Sequence, residues 1–146
     1  MTRIEYSDFD ESAQHTMRLA HQLAQKDEWG HITVEHLLGA LCQNQGSPIG
    51  AIFEHFGVSP TTVFGNLRLS VRSVPKPVAS DFRSNSQGFM RAVDQALKIR
   101  ADLSAKVVAD EHLLLGILVD QNSSAFKVLE NFGMRFDSVF ALLETS

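Results

Sequence analysis

The feature that most constrains this chain is that it is written twice. Slid against itself by 76 positions, the sequence matches without a gap over more than fifty residues. Thr33-Val34-Glu35-His36-Leu37-Leu38-Gly39-Ala40-Leu41 falls on Ala109-Asp110-Glu111-His112-Leu113-Leu114-Leu115-Gly116-Ile117. Glu54-His55-Phe56-Gly57 falls on Glu130-Asn131-Phe132-Gly133, Val63-Phe64 on Val139-Phe140, and Leu67 on Leu143. Ala20 pairs with Ala96, Gln45 with Gln121 and Ser47 with Ser123. The best matches are apolar or turn-forming, so what recurs is a folding unit. One unit alone would bury little surface. The two are therefore expected to pack as a single body about a pseudo-twofold axis.

Each unit reads as four helices. Asp10 is placed to cap a helix over about 11–26, with Ala13, Met17, Ala20, Leu23 and Ala24 at helical spacing. Thr33 caps a second, with Leu37, Leu38, Leu41 and Cys42 facing inward. Pro48 suits the first turn of a third, carrying Ile49, Ile52 and Phe53 and ended by Gly57. Ser59-Pro60 opens a fourth, with Val63, Phe64 and Leu67 on its inner face. The second unit repeats the plan. Ser86 caps the helix of Phe89, Val93, Ala96 and Leu97, Ala109 or Asp110 opens that of Leu113, Leu114 and Ile117, Ser123 caps that of Val128 and Leu129, and Asp137 begins the last. No sustained alternation and no Asn-Gly or Asp-Gly turn signals a hairpin. The expected fold is all-α: repeat one over about 8–70, a linker over about 71–85 and repeat two over about 86–146. Val74-Pro75-Lys76-Pro77 excludes a regular helix in the linker.

Composition narrows the function classes. The 146 residues are 44% apolar and 21% charged, as in an ordinary soluble domain. A net charge of −4 argues against a nucleic-acid interface. No apolar run is long enough to span a bilayer, and Met1-Thr2-Arg3-Ile4-Glu5-Tyr6 lacks the apolar core of a signal peptide. The lone Cys42 permits no internal disulfide, so a cytosolic location is expected.

A repeated Glu-His-Leu-Leu helix, a helix ending in Phe-Gly and a further short amphipathic helix resemble the N-terminal repeat domain of Clp-type AAA+ unfoldases. Phe9-Asp10-Glu11-Ser12-Ala13-Gln14 is similar to that family's opening, and the resemblance runs over about residues 7–144. It implies a non-catalytic module, without cofactor, that captures substrates or docks adaptor proteins at the front of a hexameric motor. The motor is expected elsewhere, since this chain has no Gly-x-x-x-x-Gly-Lys-Ser/Thr phosphate loop. A stand-alone regulator that competes with unfoldase N-domains is the alternative.

Glu35 and Glu111 are the residues singled out for binding. Each falls in the first turn of its helix, where the macrodipole alone favours a carboxylate by about 0.3–1 kcal/mol. The functional reading makes them two equivalent, exposed cation sites, so that truncation would leave folding nearly intact. In relatives resembling the ClpC type, the matching glutamates grip phosphorylated arginine, a planar fork suited to a carboxylate. The resemblance places the phosphate half of that site at a helix-capping threonine. The positions here are Asp10, which would repel a phosphate, and Ser86, which would accept one. Thr33 and Asp110, beside the glutamates, complete the candidate set. Thr33-Val34-Glu35-His36-Leu37-Leu38 with His55-Phe56-Gly57-Val58 also resembles the ClpV branch, which docks on a secretion-sheath helix.

Other residues carry less. His36 and His112 lack zincin spacing and are expected to seat the helix starts by local hydrogen bonds. Cys42 is expected to be a small apolar residue, with a thiol enzyme as the rival reading. No Gly-x-Ser-x-Gly elbow supports catalysis. Core or half-buried packing is expected of the aromatic set; Phe126 and Phe136, opposite Gly50 and Pro60 in the first unit, and Trp29 are the surface candidates for touching a partner. Arg68, Arg72 and Lys76 form a small basic stretch, read as solvated charge or as a contact for an acidic adaptor.

Overall fold

A computed structural model describes residues 6–26, 32–44, 46–72 and 87–144. Among these residues, a 3-10 turn at Tyr6–Asp8 is followed by eight helices. They are α1 (Glu11–Lys26), α2 (Val34–Gln43), α3 (Ile49–His55), α4 (Pro60–Arg72), α5 (Gln87–Asp102), α6 (Asp110–Val119), α7 (Ser124–Asn131) and α8 (Phe136–Glu144). The 76-residue register reappears in the helix bounds: Glu11–Lys26 becomes Gln87–Asp102, and Val34–Gln43 becomes Asp110–Val119. The fourth helix of repeat one runs to Arg72, just past the expected boundary at 70. Trp29, Lys76 and the Pro75–Pro77 segment lie outside the described residues, as do the side chains of Arg68 and Arg72.

Local chemistry sets the helix ends. The Asp10 carboxylate accepts the Ala13 N–H at 2.8 Å and opens α1. The Ser59 hydroxyl accepts the Thr62 N–H at 3.2 Å, and Ser123 the Phe126 N–H at 3.0 Å. Gly57 and Gly133 follow α3 and α7 with φ of +74° and +85°, the left-handed region that glycine adopts without a Cβ penalty. Among the described residues the only strand-like pairing is an isolated parallel bridge between Phe9 and Val108. Its two bonds, Asp10 N–H to Val108 O at 3.0 Å and Val108 N–H to Asp8 O at 2.7 Å, tie the approach to α1 to the approach to α6.

The core is built around α2 and α6, which pack on each other. Leu37, Leu38 and Leu41 of α2 and Leu113, Leu114, Leu115, Ile117 and Leu118 of α6 are buried. Fully burying each such side chain is worth about 1.5–3 kcal/mol. Each central helix also meets the first helix of the other repeat, giving α1–α6 and α2–α5 contacts that a dyad exchanges. The symmetry is broken elsewhere: α4 packs on α7, whereas its dyad mate, α8 on α3, is slight at most. A Cβ on Gly39 would sit 3.2 Å from both Leu23 and Phe64, so α4 closes tightly on α2. The equivalent position in repeat two is Leu115, whose bulk fills that space. At the α5–α6 crossing, a Cβ on Gly116 would lie 2.2 Å from the Ala92 carbonyl oxygen, an approach only glycine permits.

The fold places three side chains. Phe126 is buried in the core, the packing expected of most of these aromatics. Phe136 is half-buried and stacks on Phe140, with ring centroids 5.5 Å apart. Cys42, on α2, is partly buried and packs against the core.

Candidate functional site

The starts of α2 and α6 are built alike. Thr33 caps α2, its hydroxyl accepting the His36 N–H at 3.4 Å, while His36 Nδ1 accepts the Thr33 N–H at 3.0 Å. The imidazole takes the part that a glutamate plays in the usual capping box. In repeat two, Ala109 has no side-chain acceptor, so only the imidazole half survives: the Ala109 N–H donates to His112 Nδ1 at 2.8 Å. Both rings are neutral acceptors at Nδ1 in this geometry. Burial holds His112 below the usual histidine range; Asp10 opposes that shift and Arg100 adds to it. The histidines therefore seat the helix starts, as their spacing suggested, and Thr33 is a buried cap.

The two glutamates sit at seams between the repeats. The Ser124 hydroxyl, at the start of α7, donates to Glu35 Oε2 at 2.7 Å. Glu35 is thus half-buried and held from the other repeat, not the free exposed carboxylate expected. Glu111 is also half-buried, and its Oε1 is closed off from solvent with no hydrogen-bond partner among the described residues. Burial pushes the Glu111 carboxyl above the usual range. Its own backbone N–H opposes the rise, and the charges of Asp110 and Asp10 add to it.

Asp110 corrects the sequence reading. It is completely buried, and it accepts the Ser12 hydroxyl at 2.5 Å and the Thr16 hydroxyl at 2.7 Å across the α1–α6 seam. Asn44 completes the cluster, its amide donating to Ser12 O at 2.9 Å and to Thr16 Oγ1 at 3.0 Å. Asp110 is thus committed to joining the repeats and has no surface for a ligand. Asp10 caps α1 beside Glu111, and Ser86 lies outside the described residues.

A pair of clefts went unnoticed in the sequence. One, about 400 Å³, is lined by Leu19, Cys42, Gln43, Pro60, Thr61 and Phe64. The other, about 200 Å³, lies in repeat two between Arg91, Gln95, Gly116, Val119 and Asp120. Leu19 and Gln95, and likewise Gln43 and Val119, are equivalent positions. The clefts lie toward the C-terminal ends of α2 and α6, with Gln43 and Val119 about 12 Å along each helix from its glutamate. Both pairs are chemically unlike, so the repeat pattern gave no signal for them. Burial pushes the Cys42 thiol up to about 12, the wrong direction for a nucleophile. Among the described residues no group of three or more His, Cys, Asp or Glu could hold a metal ion, and no helix is long and apolar enough to cross a membrane.

The profile of the Clp repeat (R) N-terminal domain matches residues 8–132. This chain belongs to that family. The Clp repeat domain is a non-catalytic module of Clp ATPases. Among curated protein sequences, none matches this one. Solved structures share the fold at low identity. The N-terminal domain of the chaperone ClpD from Arabidopsis thaliana matches with TM-score 0.71 and 18% identity, covering 99% of this chain and 97% of that one. The Hsp104 N-terminal domain from Candida albicans gives TM-score 0.74 and 20% identity, over 90% and 86%. A structure from an investigation of a malarial protein secretion system gives TM-score 0.78 and 15% identity, over 94% and 93%. This Clp repeat domain therefore has two carboxylates at the seams between its repeats and a cleft toward the far end of each central helix.

Proposed function

We propose that this Clp repeat domain is the partner-binding N-terminal module of a Clp-type AAA+ unfoldase. Its seams at the starts of α2 and α6 take cationic side chains of a substrate or adaptor polypeptide. The observation that best supports this reading is the Glu111 carboxylate, half-buried, with one oxygen lacking a partner. A guanidinium or ammonium group would supply the missing donor and offset the repulsion from Asp10 and Asp110. The same neighbours favour a plain cation over phosphoarginine on this side, because a phosphate would face the Asp10 carboxylate. The net charge of −4 is in keeping with a cationic partner. The domain works in the cytosol in this reading.

The test is calorimetric titration of the domain with a permanently unfolded, arginine-rich polypeptide. Glu35→Ala with Glu111→Ala should weaken binding by about tenfold or more. Parent-like affinity in that double variant ends the assignment. A second reading, docking of an amphipathic helix such as a sheath-derived one, draws on the apolar Leu19–Phe64 cleft. A helical peptide that binds undiminished in the double variant, and is lost in Leu19→Asp, would favour it.

A further inference from the structure

We infer that the two seam glutamates are unequal receptors: Glu111 is the gripping carboxylate, and the Ser124 hydroxyl withholds Glu35 from that role. The inference rests on the cationic-partner reading above and concerns how that site is divided. Both glutamates occupy the second position of a central helix, so geometry alone would make them equal. The difference lies in what stands across each seam. Ser124 donates to Glu35 at 2.7 Å. Its counterpart in the 76-residue register is Pro48, which carries no donor. The register holds structurally at this point, because Ser47 N–H bonds Asn44 O just as Ser123 N–H bonds Asp120 O. Repeat one therefore carries no hydroxyl at the position of Ser124, and the Glu111 Oε1 has no partner among the described residues.

The energetic consequence follows from what each carboxylate gives up on meeting a ligand. Glu35 must yield or share a charge-assisted hydrogen bond, among the stronger kinds. Glu111 lies in a low-dielectric seam with one oxygen unpaired, so turning outward costs it at most the bond from its own backbone N–H and none from across the seam. A flexible glutamate side chain makes that turn without moving the helix. Ser124 is thus a positioning residue acting through Glu35, and Pro48 marks its absence on the other side.

Site-resolved NMR titration with N-acetyl-arginine methylamide tests this, reading the backbone amides of Glu35 and Glu111 separately. The parent should saturate at Glu111 first, with affinity at Glu35 about tenfold weaker. Ser124→Ala should tighten the Glu35 site toward the Glu111 value, an increase in affinity that mere loss of structure does not produce. Equal affinities in the parent, or no tightening in Ser124→Ala, overturns the inference while leaving the cationic site standing. No perturbation at either amide overturns the cationic reading itself.

Discussion

Replacing Gly116 by alanine tests how closely α5 and α6 are pressed together. The added Cβ would lie 2.2 Å from Ala92 O and 3.3 Å from Ala96 N. These are helix backbone atoms and cannot swing aside as a side chain would. Restoring an ordinary contact needs the helices to part by roughly 1 Å, enough to forfeit a quarter to a half of the dispersion energy across the gap. Phe89, Val93, Ala96, Leu113 and Ile117, all fully buried, would feel it. Overpacking of this kind costs about 1–3 kcal/mol, and alanine's better helix propensity returns about 1 kcal/mol. Adding the lost contacts, a net destabilisation of about 2 kcal/mol is expected. With a urea slope of about 2 kcal/mol/M, the unfolding midpoint should fall by about 1 M. Gly65→Ala is the control: it is helical with nothing near its Cβ, so it should gain about 0.5–1 kcal/mol. Adding Ala92→Gly should not rescue Gly116→Ala, because the obstructing atom is main-chain. A midpoint for Gly116→Ala at or above the parent's would refute the reasoning.

Three further perturbations probe the seams. Asp110→Ala strips the Ser12 and Thr16 hydroxyls of their acceptor and should cost about 3 kcal/mol by urea unfolding; a parent-like midpoint would show that the polar seam contributes nothing. Glu111 has its carboxyl raised by burial, so the fold favours its protonated form, and stability falls as pH rises from the usual carboxylate range through the raised value. Glu111→Gln should therefore be more stable than the parent at neutral pH, with the gap closing as pH drops to the usual carboxylate range; denaturation curves at several pH values check this. His112 is held below the usual range and accepts the Ala109 N–H, so stability should decline as pH falls through the usual histidine range. Glutamine at position 112 keeps an acceptor without the titration, and its decline over the same window should be shallower.

Most of the fold was legible because its signals are local. Asp10, Thr33, Ser59, Ser123, Gly57 and Gly133 each act within a turn of their own position, and each does what its residue type favours. Side-chain environment was less legible, because periodicity names a helix face without saying what covers it. Repeat one has Gly50 where repeat two has Phe126, so the duplication could not say that Phe126 is buried. Asp110 read as a helix opener and a binding candidate; its burial depends on Ser12 and Thr16, 98 and 94 residues away in sequence. No local pattern announces a pairing over that distance.

The positions where the two copies differ explain why a symmetric scaffold has unlike sites. The α1–α6 seam holds Ser12, Thr16, Asn44 and Asp110 in one hydrogen-bonded cluster. The dyad-related positions are Gly88, Ala92, Asp120 and Val34, so the α2–α5 seam has no hydroxyl or carboxylate to match Ser12, Thr16 and Asp110. A polar seam with every member paired fixes one relative orientation of the helices through directional bonds. An apolar seam fixes proximity but resists sliding less. Glu111 is thus next to the directional seam, its carboxyl raised chiefly by burial and further by Asp110, whereas Glu35 follows Val34 and is steadied instead by Ser124. Duplication supplied two matching helix starts; the Pro48/Ser124 difference gave Glu35 a partner, and the Val34/Asp110 difference set a second acid beside Glu111. On this argument a ligand with a single cation meets one preferred seam, and a ligand with two engages the second only by displacing a serine hydroxyl.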